Sequence, residues 1–489
     1  MNKKRLIRIL GTVIFVECVA MLPALGISMY TRDQSAVRGF LTTMILMLVV
    51  AGAMLIHSRK AGHRMSTWED VICTGLCWLE LSVLGALPLF ISGQVPSFVD
   101  SLFEITSGFT TTGASVISDV EKLGKGILLW RSFSHWLGGM GVLAFFLAIL
   151  PAKGNDNGYS IDLLRSESPG PMVNKIVPRL KKSSEILYLI YMGLTVLNII
   201  FLLIADVPVF DAFCIAFGTA GTGGFSILNT GLATYPVFAQ NVTTVFMILF
   251  GINFTLFYLL LTRRFKDLLR DEEIRLYFGI IIVSIVLITV NMLGKAQDMS
   301  TPGQTIKNAA FTVGSIITTT GYSTADFNTW NSMSKAILLL LMIVGACAGS
   351  TGGGLKVSRL LVLYKAHRRT SHNRLYPDEV KVIKMNGERL GERTINNVQS
   401  YLVIYFIIIA VSFILISADP ANYSLETNLS AVLATFNNIG PGLGSVGPTA
   451  NFGDYSVVSK LVMTFDMLLG RLEIYPILAL FTFKALKGK

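Results

Sequence analysis

Four short stretches rich in Thr, Gly and Ser interrupt an otherwise strongly apolar chain, and their repetition constrains the fold more than any other feature. They are Phe103-Glu-Ile-Thr-Ser-Gly-Phe-Thr-Thr-Thr-Gly-Ala-Ser115, Ala212-Phe-Cys-Ile-Ala-Phe-Gly-Thr-Ala-Gly-Thr-Gly-Gly-Phe-Ser226, Ala310-Phe-Thr-Val-Gly-Ser-Ile-Ile-Thr-Thr-Thr-Gly-Tyr-Ser323 and Leu433-Ala-Thr-Phe-Asn-Asn-Ile-Gly-Pro-Gly-Leu-Gly-Ser445. Each runs from an amphipathic half-helix into small or hydroxyl residues and then to a glycine before an apolar or aromatic side chain. One copy alone reads equally well as a tight turn between helices. Four copies at equivalent places describe an internal repeat, and four repeats imply pseudo-fourfold packing about one axis.

The chain between them is built for a bilayer. Of its 489 residues 52% are hydrophobic and 15% charged, far from the balance of a soluble domain. Apolar stretches near the ~20 residues that a spanning helix needs fall at 7–30, 37–57, 68–92, 127–150, 185–205, 236–262, 276–294, 334–365, 398–418 and 455–484. The expected fold is an all-α integral membrane protein with ten transmembrane helices and four re-entrant pore half-helices. Residues 1–67 would hold two leading helices, with pore repeats at 68–150, 151–262, 263–365 and 366–489. The basic N-terminus resembles a signal peptide in charge, but the long apolar run to Tyr30 reads as a retained first span.

Lys and Arg concentrate at 57–64, 153–182, 263–275 and 368–393 and are missing from 206–244 and 419–459. By the positive-inside rule both termini are cytoplasmic and all four half-helices enter from outside. The net charge of +11 is therefore loop charge, and no nucleic-acid partner is expected. The five cysteines, Cys18, Cys73, Cys77, Cys214 and Cys347, all lie in or beside apolar stretches and read as small core residues.

Irregular backbone at membrane depth survives only where protein buries it or where it lines a water-filled path. Four such segments meeting on one axis present rings of carbonyl oxygens, which can replace the hydration shell of K⁺, and glycine permits the backbone conformations this needs. The candidate ion-binding positions are Thr111, Thr112 and Gly113; Thr222, Gly223 and Gly224; Thr319, Thr320 and Gly321; and Ile439, Gly440, Pro441 and Gly442. The second and fourth copies allow a one-residue slip in register.

Two other places stand out. Gly345, Gly349, Gly352, Gly353 and Gly354 crowd one apolar span just before Lys356; at roughly 1 kcal/mol per glycine in a helix interior they should break it, unless they serve close helix packing. A phosphate-binding loop is a poor match, because Leu355 separates glycine from lysine and no strand precedes it. Arg471 is charged within the last span, where an ionisable residue faces the bundle interior or water; an ion pair with Asp466, Glu473 or Glu80 is the structural alternative. His135 reads as a hydrogen-bonded core histidine.

With Arg131-Ser-Phe-Ser-His-Trp-Leu-Gly-Gly-Met-Gly141 and Gly345-Ala-Cys-Ala-Gly-Ser-Thr-Gly-Gly-Gly-Leu-Lys356 added to the four repeats, the chain resembles the TrkH branch of the Trk/Ktr/HKT superfamily of K⁺ transporters over nearly its whole length. The resemblance implies K⁺ uptake at the bacterial inner membrane, a homodimer with one pore per subunit, and a cytosolic TrkA-like nucleotide-binding ring as regulator. It also implies that the loop at Gly345–Gly354 blocks the pore and that Arg471 projects toward the ion path. K⁺ is then the bound and transported ion, membrane lipid the surrounding partner, and no organic cofactor is needed. The competing expectations are a symporter coupled to Na⁺ or H⁺ and a membrane-embedded lipid enzyme, for which no acid/base or nucleophile cluster is visible.

Overall fold

The computed structural model describes residues 3–59, 67–139, 141, 180–293, 301–379 and 381–481. Most of the basic loop at 153–182, the end of the span expected at 127–150 and the last residues of the chain lie outside these.

Among the described residues six helices are each long and apolar enough to cross a bilayer: Lys3–Tyr30, with a one-residue break at Met21, Gln34–His57, Trp68–Ile91, Glu185–Ile204, Glu272–Met292 and Glu392–Ser417. The last four each open a repeat. Each is followed by a shorter helix that cannot span: Phe98–Phe109, Val209–Gly221, Pro302–Ile317 and Leu425–Phe436, with 12, 13, 16 and 12 residues. At ~1.5 Å per residue these reach less than the ~30 Å of a hydrocarbon core. Their starts are written into the sequence, since Ser97, Thr301 and Ser424 accept from the amides of Asp100, Gln304 and Thr427, which satisfies donors that a helix leaves free at its first turn. Pro208 precedes the second of these helices and stands at its N-cap.

Every repeat then closes with a helix that stops early. Lys125–Gly139 ends at paired glycines, and Val237–Phe250 turns by 95° at Gly251–Asn253 before Phe254–Leu261 resumes. Ser332–Val344 gives way to an irregular loop until Val357–Leu375 begins. Val457–Arg471 breaks before Tyr475–Leu480, with Glu473 and Ile474 at positive φ. The break in the third repeat matches the glycine argument. The spans expected at 236–262 and 455–484 are interrupted too, at places where Gly251 packs against Thr318 and Gly470 against Phe436, just past or at the ends of the third and fourth short helices.

Glycine makes such contacts close. A methyl group on Gly138 would run into the carbonyl oxygen of Phe109, the end of the first pore helix, and one on Gly470 would run into that of Phe436, the end of the fourth. The described residues hold a single two-stranded hairpin, Lys384–Met385 against Glu388–Arg389, in the basic segment at 368–393. All five cysteines are buried and free.

Because Gly470 packs directly on backbone that cannot yield, Gly470→Ala should cost about 1–3 kcal/mol, the usual penalty of overpacking. Thermal unfolding of the detergent-solubilised protein should show a clearly lowered midpoint, and an unchanged midpoint would mean that this contact is loose.

Candidate ion-conduction site

The four segments that follow the pore helices share one backbone conformation. Thr111, Thr222, Thr319 and Asn438 have φ of 55°, 54°, 59° and 55°, and two residues later Gly113, Gly224, Gly321 and Gly440 have φ of 78°, 77°, 83° and 104°. The intervening amides of Thr112, Gly223, Thr320 and Ile439 donate back to Ser107, Gly218, Ser315 and Ala434 at 2.8, 2.8, 2.9 and 2.8 Å. This common pattern fixes the register. In the fourth repeat Ile439 and Gly440 take the equivalent positions after Asn438, Pro441 lines the same cavity as Gly440, and the Gly442 amide donates to the Val446 carbonyl at 2.7 Å. By this backbone correspondence Asn438, Ile439 and Gly440 align with Thr111, Thr112 and Gly113, and the candidates Pro441 and Gly442 follow directly after them.

The segments also touch in cyclic order. A methyl group on Gly113 would strike the Gly223 carbonyl oxygen, one on Gly224 that of Thr320, and one on Gly321 that of Ile439. The ring closes at Gly440, whose methyl would lie 2.9 Å from the Thr112 oxygen. Each glycine therefore packs on the same carbonyl of the next repeat, and positive φ at these positions is tolerated best by glycine. Four pore-helix C-termini lead into this ring, bringing the negative ends of their dipoles with them.

On one side of the ring an open vestibule of about 160 Å³ is bounded by all four glycines together with Phe225 and Tyr322. On the other side lies the loop Gly345–Lys356. Its Gly353 amide donates to Thr319 Oγ1 at 2.6 Å, and a methyl on Gly352 would stand 2.7 Å from the Thr318 oxygen. Gly345, Gly349, Gly354 and Lys356 carry positive φ, and the loop is buried apart from Gly349, which is exposed, and Gly354, which is half-buried. Arg471 donates to the Thr351 carbonyl of this loop at 2.8 Å and to the carbonyls of Gly138 and Gly139 across the bundle. Of the carboxylates considered for it, Glu473 pairs with Arg359 at 2.5 Å and Asp466 accepts from Ser412 at 2.8 Å. Lys356 is buried and donates to Gly352, and Arg359 is buried over the Tyr401 ring at 4.0 Å.

A buried ion pair that the sequence reading did not single out holds the first segment in place. Arg131 and Glu104 meet at 2.5 Å with side chains 1% and 0% exposed. Glu104 also accepts from the Ser115 hydroxyl at 3.0 Å and the Val116 amide at 3.0 Å, and Arg131 stacks over Phe225 at 4.2 Å. One pair thus fastens the strand leaving Gly113 and reaches into the second repeat. The available signal was a carboxylate on the apolar face of a half-helix, where an unpaired charge is costly. His135 supports the same junction: Nδ1 lies 2.8 Å from the Gly108 carbonyl, and the Phe225 amide donates to Nε2 at 3.2 Å. Both bonds are satisfied together by the neutral ring carrying its hydrogen on Nδ1.

This geometry agrees with what the chain resembles. The profile of the TrkH family of cation transport proteins matches residues 37–487. The chain belongs to the TrkH family. It is 34% identical over 487 residues to the Trk system potassium uptake protein TrkH of Escherichia coli K12, spanning 99% of each chain. It is 32% identical over 476 residues to TrkG of the same organism, spanning 96% of each. The crystal structure of the potassium transporter TrkH from Vibrio parahaemolyticus superposes with a TM-score of 0.86 at 31% identity, covering 99% of this chain and 100% of that one. As a family of transport proteins with this multi-pass fold, it leaves no place for the lipid-enzyme expectation.

Removing one partner of the Arg131–Glu104 pair leaves the other buried and uncompensated, which typically costs 3–5 kcal/mol. Glu104→Ala should therefore lower thermal stability sharply, while the double change Glu104→Met with Arg131→Leu should recover much of it. Equal stability of the single and double variants would show that the pair is not the fastening it is taken for.

Proposed function

We propose that this protein takes up K⁺ across the bacterial inner membrane through a selective, channel-like pore along the axis of the four repeats. The observation that carries this reading is the closed ring in which each of Gly113, Gly224, Gly321 and Gly440 packs on a carbonyl of the next segment. Such a ring is narrow and lined by backbone, and its carbonyls can take the place of water around a dehydrated K⁺. The relatives named as potassium uptake proteins support the choice of ion.

The vestibule is the outer mouth and the loop Gly345–Lys356 the inner barrier, with both termini cytoplasmic. Arg471, bonded to the loop and to the first repeat, sets a fixed positive charge beneath the filter, where a low-dielectric setting magnifies its effect on cations. Opening requires the loop to leave the axis. A cytosolic TrkA-like ring acting on the helix Val357–Leu375 supplies that pull, and the working unit is a homodimer with one pore per subunit.

Liposomes containing only this protein test the reading. Rb⁺ tracer should enter down its gradient, and Na⁺ should enter far less readily. Gly113→Ser places a side chain against the Gly223 carbonyl at a φ of 78°, so the K⁺/Na⁺ permeability ratio should fall or conduction should cease. An unchanged ratio in a folded variant would remove Gly113 from the filter.

A further inference from the structure

The helix that opens the third repeat begins with three consecutive acids, Asp271, Glu272 and Glu273, and each holds a different part of the chain that follows the filter. Glu273 is 6% exposed, and a single carboxylate oxygen accepts from the Ala348 amide at 2.7 Å and from the Ser358 amide at 3.0 Å. Those two amides stand at opposite ends of the loop beneath the filter, one in its first turn and one at the start of the helix Val357–Leu375. One buried oxygen thus closes the loop like a clasp. A carboxylate bonded to backbone amides forms charge-assisted hydrogen bonds, which are stronger than neutral ones.

The two preceding residues extend the clasp to the cytosolic side. Glu272 pairs with Lys365 on the helix after the loop, and Lys365 also donates to the Lys384 carbonyl in the hairpin at 2.7 Å. Asn386, at the hairpin turn, donates to Asp271 at 2.7 Å and accepts from the Glu272 amide at 2.9 Å. Hairpin, helix and loop are therefore fastened to one helical turn. These bonds connect the exposed hairpin tip to residues adjacent in sequence to the carboxylate that bonds both ends of the loop.

We infer that Glu273 is a positioning residue that holds the loop Gly345–Lys356 closed across the ion path, and that Asp271 and Glu272 couple this clasp to the cytosolic hairpin Lys384–Arg389. The inference rests on the reading of that loop as the inner barrier. It assigns the closing force to the third repeat's own helix rather than to Arg471 alone. It also makes the hairpin, bonded to the helix Val357–Leu375 through Lys365, a second point beside that helix where force from a cytosolic partner enters.

The test compares three variants in liposomes containing the full-length protein alone, reading Rb⁺ uptake and the K⁺/Na⁺ ratio. Glu273→Ala should raise uptake several-fold with the ratio unchanged, because the filter is built from other segments. Glu273→Gln keeps an acceptor oxygen and should return uptake most of the way to the original level, which a merely structural loss of charge would not do. Deletion of Ala348–Gly352 separates the two claims. Increased uptake on deletion together with unaltered uptake in a folded Glu273→Ala protein overturns the clasp and leaves the barrier standing; no increase in either overturns both. Should the alanine variant fail to assemble, Glu273→Asp shortens the arm by one methylene and should shift uptake in the same direction, and uptake at the original level in that variant overturns the clasp.

Discussion

A backbone amide or carbonyl at membrane depth must be bonded within the protein or face water, because lipid offers it nothing. The rest of this structure follows from how four non-helical segments meet that demand. Each is short, each begins with the same backward amide bond to its pore helix, and each buries its glycine on a neighbour's carbonyl. The long helices that open the repeats pack against the short helices that lead into these segments. The closing helices stop early, which leaves room for the segments' inner ends. Glu104, Arg131 and His135 then fasten the strand that leaves the first segment to the second repeat.

The ring is close to fourfold, but the layer beneath it is not. The third repeat supplies the loop, the fourth supplies Arg471, the first supplies the Gly138 and Gly139 carbonyls that Arg471 binds, and the bend at Gly251 in the second takes the Cys347 amide at 3.1 Å. Every repeat contributes something different there. This division suits the proposed activity, since ion choice calls for equivalent carbonyls around the axis, while a barrier needs a single element that can move without disturbing them.

Much of this was legible before any coordinates. The repeats, the long apolar spans and the broken third closing helix all leave a local mark, because Thr-Gly runs and clustered glycines have few other uses within an apolar span. The bends at Gly251–Asn253 and Leu472–Ile474 left only weak marks, a glycine with the N-cap Asn253 in one and Glu473 in the other, and Gly251 and Gly470 there pack against Thr318 and Phe436 from distant parts of the sequence. The register of the fourth segment was hidden by Gly440-Pro441-Gly442, where several glycines satisfy the same rule, until the backbone dihedrals showed Asn438 in the place of threonine. Lys356 and Arg359 look like cytoplasmic charge by position, yet burial against Gly352, Glu473 and Tyr401 turns them inward. Long-range pairs such as Arg131–Glu104 are set by which repeats become neighbours, which a linear pattern does not state.

The central claim is that the ring of backbone carbonyls at Thr111–Gly113, Thr222–Gly224, Thr319–Gly321 and Asn438–Gly440 is where K⁺ loses its water. Crystals grown with Rb⁺ in place of K⁺ would test it most directly, through the anomalous signal of the bound ion. The account predicts peaks on the pseudo-fourfold axis, within direct coordination distance of those carbonyl oxygens. A ring free of anomalous density in crystals that hold Rb⁺ elsewhere along the axis would contradict it.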